Sequence, residues 1–185
     1  MNVLNFFRKI QITYRRILRV ILTKNHPEIA WKELIKLNKE AGWHFGQYDK
    51  DRKVETAFSF HDDETFRKFQ YEITQRKMIF SVNILQDFEI ESTHDIMILA
   101  SHFNSLLNNG IIRVNTSDRQ VYCEFTGEIL LYVLYPGEIQ TDILQHYNLA
   151  KDCCWAFNHL LVSGEDPVFI IAELLKRKEE ENKEH

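Results

Sequence analysis

Apolar residues three or four positions apart open the chain. Leu4, Phe7, Ile10, Tyr14, Ile17 and Ile21 follow that spacing, which predicts a helix over residues 3–23. His26-Pro27 closes it, because proline and the residue before it resist helix continuation. Pro27 also suits the opening of a second helix over 28–41, with Ile29, Trp31, Leu34, Ile35 and Leu37 apolar. Gly42 is placed to cap that helix in a left-handed conformation. The period then drops to two. Val54, Thr56, Phe58 and Phe60 alternate, then Phe69, Tyr71 and Ile73, then Met78, Phe80, Val82 and Ile84. Polar turns at 61–64 and 74–77 separate these runs, so an antiparallel meander is expected, with a short strand over 43–48 ahead of it.

A second helix-then-strands stretch follows. Ser92-Thr93-His94-Asp95 supplies capping groups for a helix whose apolar face is Ile96, Leu99, Ala100, Phe103, Leu106 and Leu107. Asn109-Gly110 stops it. Ile112 and Val114 begin a strand, Thr116-Ser117-Asp118 turns it, and Val121, Cys123 and Phe125 alternate again. After Gly127, residues 129–135 are seven successive apolar or aromatic positions, expected to be a strand covered on both faces by the fold or by a partner. A long helix is predicted over 139–162 on the stripe Ile143, Tyr147, Ala150, Cys154, Phe157 and Leu161. Residues 163–167 break it, 168–175 form a last short helix, and the charged tail 176–185 is expected to fray. The expected fold class is α+β: a helix and three-strand meander unit occurring twice, its antiparallel sheet covered by helices, with a long C-terminal helix. In domain terms this gives a basic amphipathic helix over 1–26, one α+β domain over 27–175, and a charged tail over 176–185.

The helix ending in Phe103-Asn104, Leu106 and Leu107 leads into Ile111-Ile112-Arg113-Val114, then the strands around 121–125 and 129–135 and the long helix. This order over residues 28–162 resembles the YbjN-like family of sensory transduction regulators and the type III secretion chaperone fold that the family shares. The resemblance implies an α/β sandwich, frequent dimers, and a role in binding proteins rather than in turnover. It carries over no catalytic residue, and it does not extend to the first helix or the tail.

Charge changes the picture at one end. Residues 1–27 hold Arg8, Lys9, Arg15, Arg16, Arg19 and Lys24 with no acidic residue. The net charge is −4, so residues 28–185 sum to −10 by difference. An acidic body argues against nucleic acid as the partner. The first helix suits either an outward role, on anionic lipid or an acidic groove, or packing on its own domain. Its cations fall on more than one side, so its polar face does not read as clean. Charges interrupt the apolar N-terminus before transmembrane length, and three cysteines, two of them adjacent, disfavour an oxidising compartment. A cytoplasmic location follows.

Candidate chemistry is sparse. His61-Asp62-Asp63-Glu64 offers metal-capable side chains, but neighbours in a turn diverge into solvent. Cys153-Cys154 lacks the two-residue spacer of a redox pair and is expected to act as two buried small hydrophobes. His102, His146 and His159 fall on helices without zinc-ligand spacing. No glycine-rich nucleotide loop and no nucleophile elbow occurs in a chain with six glycines. The expectation is therefore a non-enzymatic protein-binding module without a cofactor, chaperone-like or regulatory, and homodimeric. Its candidate surface is Arg8, Arg15, Arg16 and Arg19 on the first helix with Leu130, Tyr132 and Leu134 in the apolar segment. A peripheral membrane adaptor using the basic helix is the alternative, and an unrecognised hydrolase a further one.

Overall fold

The structure is a computed structural model that describes residues 3–42, 45–48, 52–60, 63–181 and 183; for 3–10, 19, 45–48 and 63–65 it gives the backbone alone. Helices α1 (Val3–Leu22) and α2 (His26–Glu40) lead into strands β1 (Phe45–Tyr48), β2 (Lys53–Phe60), β3 (Asp63–Ile73) and β4 (Lys77–Gln86). Then come α3 (Thr93–Leu106), β5 (Gly110–Asn115), β6 (Gln120–Glu128), α4 (Ile129–Leu134), α5 (Glu138–Ser163) and α6 (Pro167–Glu181). The helix ends obey the local chemistry. Asn25 caps α2 by accepting from the Glu28 amide, Pro27 fills its first turn, and Gly42 and Gly164 take positive φ just past α2 and α5.

All strand pairs are antiparallel, in the order β1-β2-β3-β4-β6-β5. The period-two pattern sends Val54, Phe60, Phe69, Tyr71, Met78, Phe80, Val82, Val121, Cys123 and Phe125 to one buried face. The opposite face carries cross-strand polar pairs: Gln70 donates to Glu55 at 2.7 Å, and Arg113 meets Glu124 at 2.8 Å. Helix α5 lies on the buried face with Ile139, Ile143, His146, Ala150, Cys153, Phe157 and Leu160 inward. Tyr147 stands among the rings of Phe58, Phe60 and Phe69, and its hydroxyl donates to the Ser59 carbonyl at 2.9 Å. Helices α3 and α6 flank α5 toward β5, and α2 and α4 pack together on the other side.

Residues 129–135 are not a strand. Both edges of β6 are already paired, by β4 as far as Lys77↔Glu128 and by β5 from Gly110↔Phe125. A returning strand would find no unpaired edge beside β6. The chain instead turns into helix α4 with Ile129, Tyr132 and Val133 buried, the three-to-four spacing of a helix. Pro136-Gly137 then separates it from α5. The second unit thus has two strands. The last helix also runs beyond 175, to Glu181, where Lys178 pairs with Asp152 and Arg177 lies 4.4 Å over the Trp155 ring.

Asn104 gives the helix signature its physical role. Its side chain donates to the Ile112 carbonyl at 3.0 Å and accepts from the Ile112 amide at 2.6 Å, pairing α3 with edge strand β5 as another strand would. Asn104→Ala leaves both groups of a buried residue to find water. We expect it to lower unfolding free energy by about 1–2 kcal/mol, read by urea denaturation, while Asn104→Gln recovers little because its amide is displaced by a methylene.

Candidate binding surfaces

The two segments singled out in the sequence meet. Helix α1 packs on α4, with the Arg16 guanidinium 4.9 Å over the Tyr135 ring and Val20 against the core. His26 Nε2 donates to the Val20 carbonyl at 2.9 Å and so ties the end of α1 to the start of α2. Leu130 and Leu131 are exposed, Leu134 is half-buried, and Arg15 is exposed beside the half-buried Arg16. The side chains of Arg8 and Arg19 lie outside the described residues. Tyr132 does not belong to the surface, because it is fully buried.

Tyr132 is instead an anchor. Its hydroxyl donates to Asp142 on α5 and lies over Gly127. A methyl group at Gly127 would overlap that hydroxyl and crowd the carboxylate, so the close approach requires glycine. Burial, and then the bond to Asp142, hold the Tyr132 hydroxyl protonated far above its ordinary value. Burial also raises the Asp142 carboxyl, against the lowering effect of the Tyr132 bond.

A second surface escaped the sequence reading. Four adjoining hollows of 440, 350, 320 and 300 Å³ lie around α5. The first two share Asn108, Asn109, Gly110 and Phe125, and the last three share Asp152 and Lys178. Helix α5 lines them with Asp142, Gln145, Leu149, Asp152, Trp155, His159 and Val162, positions that wind across its outer face rather than keep to one line. From Asp142 to Val162 these hollows form a trough that winds roughly 160° around α5 over about 30 Å of its length, with the Lys178–Asp152 pair beside it. One end is lined by asparagines and Gln145. The other has an apolar floor of Phe60, Trp155 and Leu174 under the rim cations Lys151 and Arg177.

The polar clusters are mostly structural. His61 and Asp62 lie outside the described residues, as do the side chains of Asp63 and Glu64. Cys153 and Cys154 are buried thiols, as expected of small hydrophobes. The Cys153 hydrogen bond, joined by His146, draws Cys123 below its usual thiol value, and burial drives Cys153 up. His146 is fully buried against Phe69 and Phe80, with Nε2 on the Cys123 carbonyl at 3.2 Å. His159, Glu165 and Glu173 bring three metal-capable atoms within 4.8 Å. His159 Nε2 stands 3.6 Å from each carboxylate, and both glutamates are exposed.

No protein-family model and no curated protein matches the chain. Among solved structures, the crystal structure of YbjN, "a putative transcription regulator from E. coli", aligns with a TM-score of 0.50 at 9% identity, over 70% of this chain and 92% of that one. At that identity the likeness establishes the fold alone: this chain has a YbjN-like α+β fold, as the element order implied. No described helix is long and apolar enough to cross a membrane.

The Tyr132–Asp142 contact has a pH signature. The folded carboxyl lies above its unfolded value, so its contribution is fully present below the unfolded value and is lost as pH rises through the folded one. Asp142→Asn keeps an acceptor for Tyr132 and removes the charge. Urea unfolding is expected to show the variant gaining on the wild type as pH rises from about 4; a difference that stays flat with pH would count against the assignment.

Proposed function

We propose that this chain is a non-enzymatic regulatory module that holds an extended segment of a partner protein in the trough along α5. The carrying observation is that trough. Its length of about 30 Å matches about nine residues of extended chain. The amides of Asn108, Asn109, Gln145 and Asn148 at one end suit peptide N–H and C=O groups, which need partners of both kinds. The hollow beside Trp155, whose ring lies under Arg177 and stacks on His159, suits one apolar anchor side chain. The YbjN description favours a regulatory role, and the −10 body favours a protein over nucleic acid. Pairing with a second copy belongs to the same reading, through the exposed apolar ridge of Leu130, Leu131 and Tyr135.

Two measurements test these parts separately. A photo-crosslinking residue replacing the exposed Asn148 in the trough is compared with one replacing the exposed Lys68 outside it. A single protein joined from position 148 alone, and lost when Trp155→Ala empties the anchor hollow, is the expected result. Equal products from both positions would remove the trough from consideration. For pairing, Leu130→Glu is expected to halve the mass seen by sedimentation velocity; a wild type that runs as a monomer at all concentrations rejects that part alone.

A further inference from the structure

Among the described side chains, helix α1 meets the domain along one edge and leaves most of its apolar side exposed, with Leu18 half-buried within it. The attachment is Val20 on the core and Arg16 on Tyr135. At about 100° per residue, Ile21, Tyr14 and Leu22 lie roughly 100–160° around the helix from Val20. Their exposure agrees: Tyr14 is 61% exposed, Ile21 71% and Leu22 75%, with Ile17 at 45%. A helix packed for its own domain turns this stripe inward.

The cations sit where a surface-bound helix needs them. Helical spacing places Arg8, Lys9, Arg15, Arg16 and Arg19 within an arc of about 120°, which also holds the exposed Ile12. The exposed Arg15 is about 20° from Leu22, at the border of the apolar side. No acidic residue interrupts residues 1–27. An apolar stripe bordered by a cationic arc, on a helix that is not long and apolar enough to cross a membrane, is the arrangement of a helix lying in a lipid interface.

We propose that the outward side of α1 seats on an anionic bilayer surface. Tyr14, Ile17, Ile21 and Leu22 enter the boundary between headgroups and acyl chains, and the flanking arginines meet lipid phosphates. The domain then hangs from the opposite edge of the helix, through Val20 and Arg16. A second copy fits this helix less well, because a two-fold α1–α1 contact offers its cations no acidic partner in residues 1–27. The surface is distinct from the trough, so either can be wrong without the other.

The test uses the full chain and vesicle co-sedimentation. Vesicles of phosphatidylcholine with about 30 mol % phosphatidylglycerol should pellet the protein, and pure phosphatidylcholine should pellet at least about tenfold less. Raising the salt to about 0.5 M should weaken the binding severalfold. Ile21→Glu with Leu22→Glu should abolish it, and Arg15→Glu, at an exposed position that folding does not depend on, should weaken it severalfold. Equal recovery with neutral and anionic vesicles, or none with either, overturns the proposal. So does a Glu pair that lowers the mass in sedimentation velocity while wild type ignores vesicles, which would assign this side to a second copy.

Discussion

The arrangement turns on one hydrogen bond at the end of the sheet. Where β6 ends, the Tyr132 hydroxyl is paired as its ring enters the core, and Asp142 on α5 is the acceptor. A buried hydroxyl left unpaired costs about 1–3 kcal/mol, so α4 is held where that bond can form. Gly127 leaves the space for it, because any side chain there would occupy the position of the phenol. Helices α1 and α2 both pack on α4, so this contact bears on the placement of both.

Most of the fold was legible because its signals are local. Period two marked β2, β3, β4 and β6, period 3.6 marked α1, α2, α3 and α5, and Gly42, Pro27 and the 163–167 break marked their ends. Residues 129–135 were illegible for a definite reason. Seven apolar residues in succession carry no period, and the choice between strand and helix fell to whether β6 had an unpaired edge, a property of the whole sheet. The reach of α6 beyond 175 was hidden likewise. Its charged turns look like a fraying tail until Asp152 and Trp155, some 25 positions earlier, supply partners for Lys178 and Arg177.

The candidate surfaces divide the same way. Arg15, Arg16 and Leu130 were found because charge and apolar runs are visible in one dimension. That α1 and α4 touch was not, and neither was the fact that Tyr132 faces inward. The trough left almost no trace. The buried stripe of α5, of isoleucine, alanine, cysteine and phenylalanine, dominates the pattern. The outer face mixes Asp142, Gln145, Leu149, Asp152 and Trp155 and looks like an ordinary solvated face until the 107–110 loop and α6 rise beside it.

Helix α4 is six residues long and belongs to both surfaces. Leu131 lines the polar end of the trough, while Tyr135, one turn on, lies under Arg16 of α1. Between them Tyr132 is pinned to α5, the helix that forms the trough's long wall. An element this short has few contacts of its own, and a packed interior does not stretch. A force on α1 is therefore passed to Tyr135 and, through Tyr132 and Asp142, to the first turns of α5. The cationic first helix and the trough thus lie on either side of α4, and the Tyr132–Asp142 hydrogen bond is one of the contacts that join them.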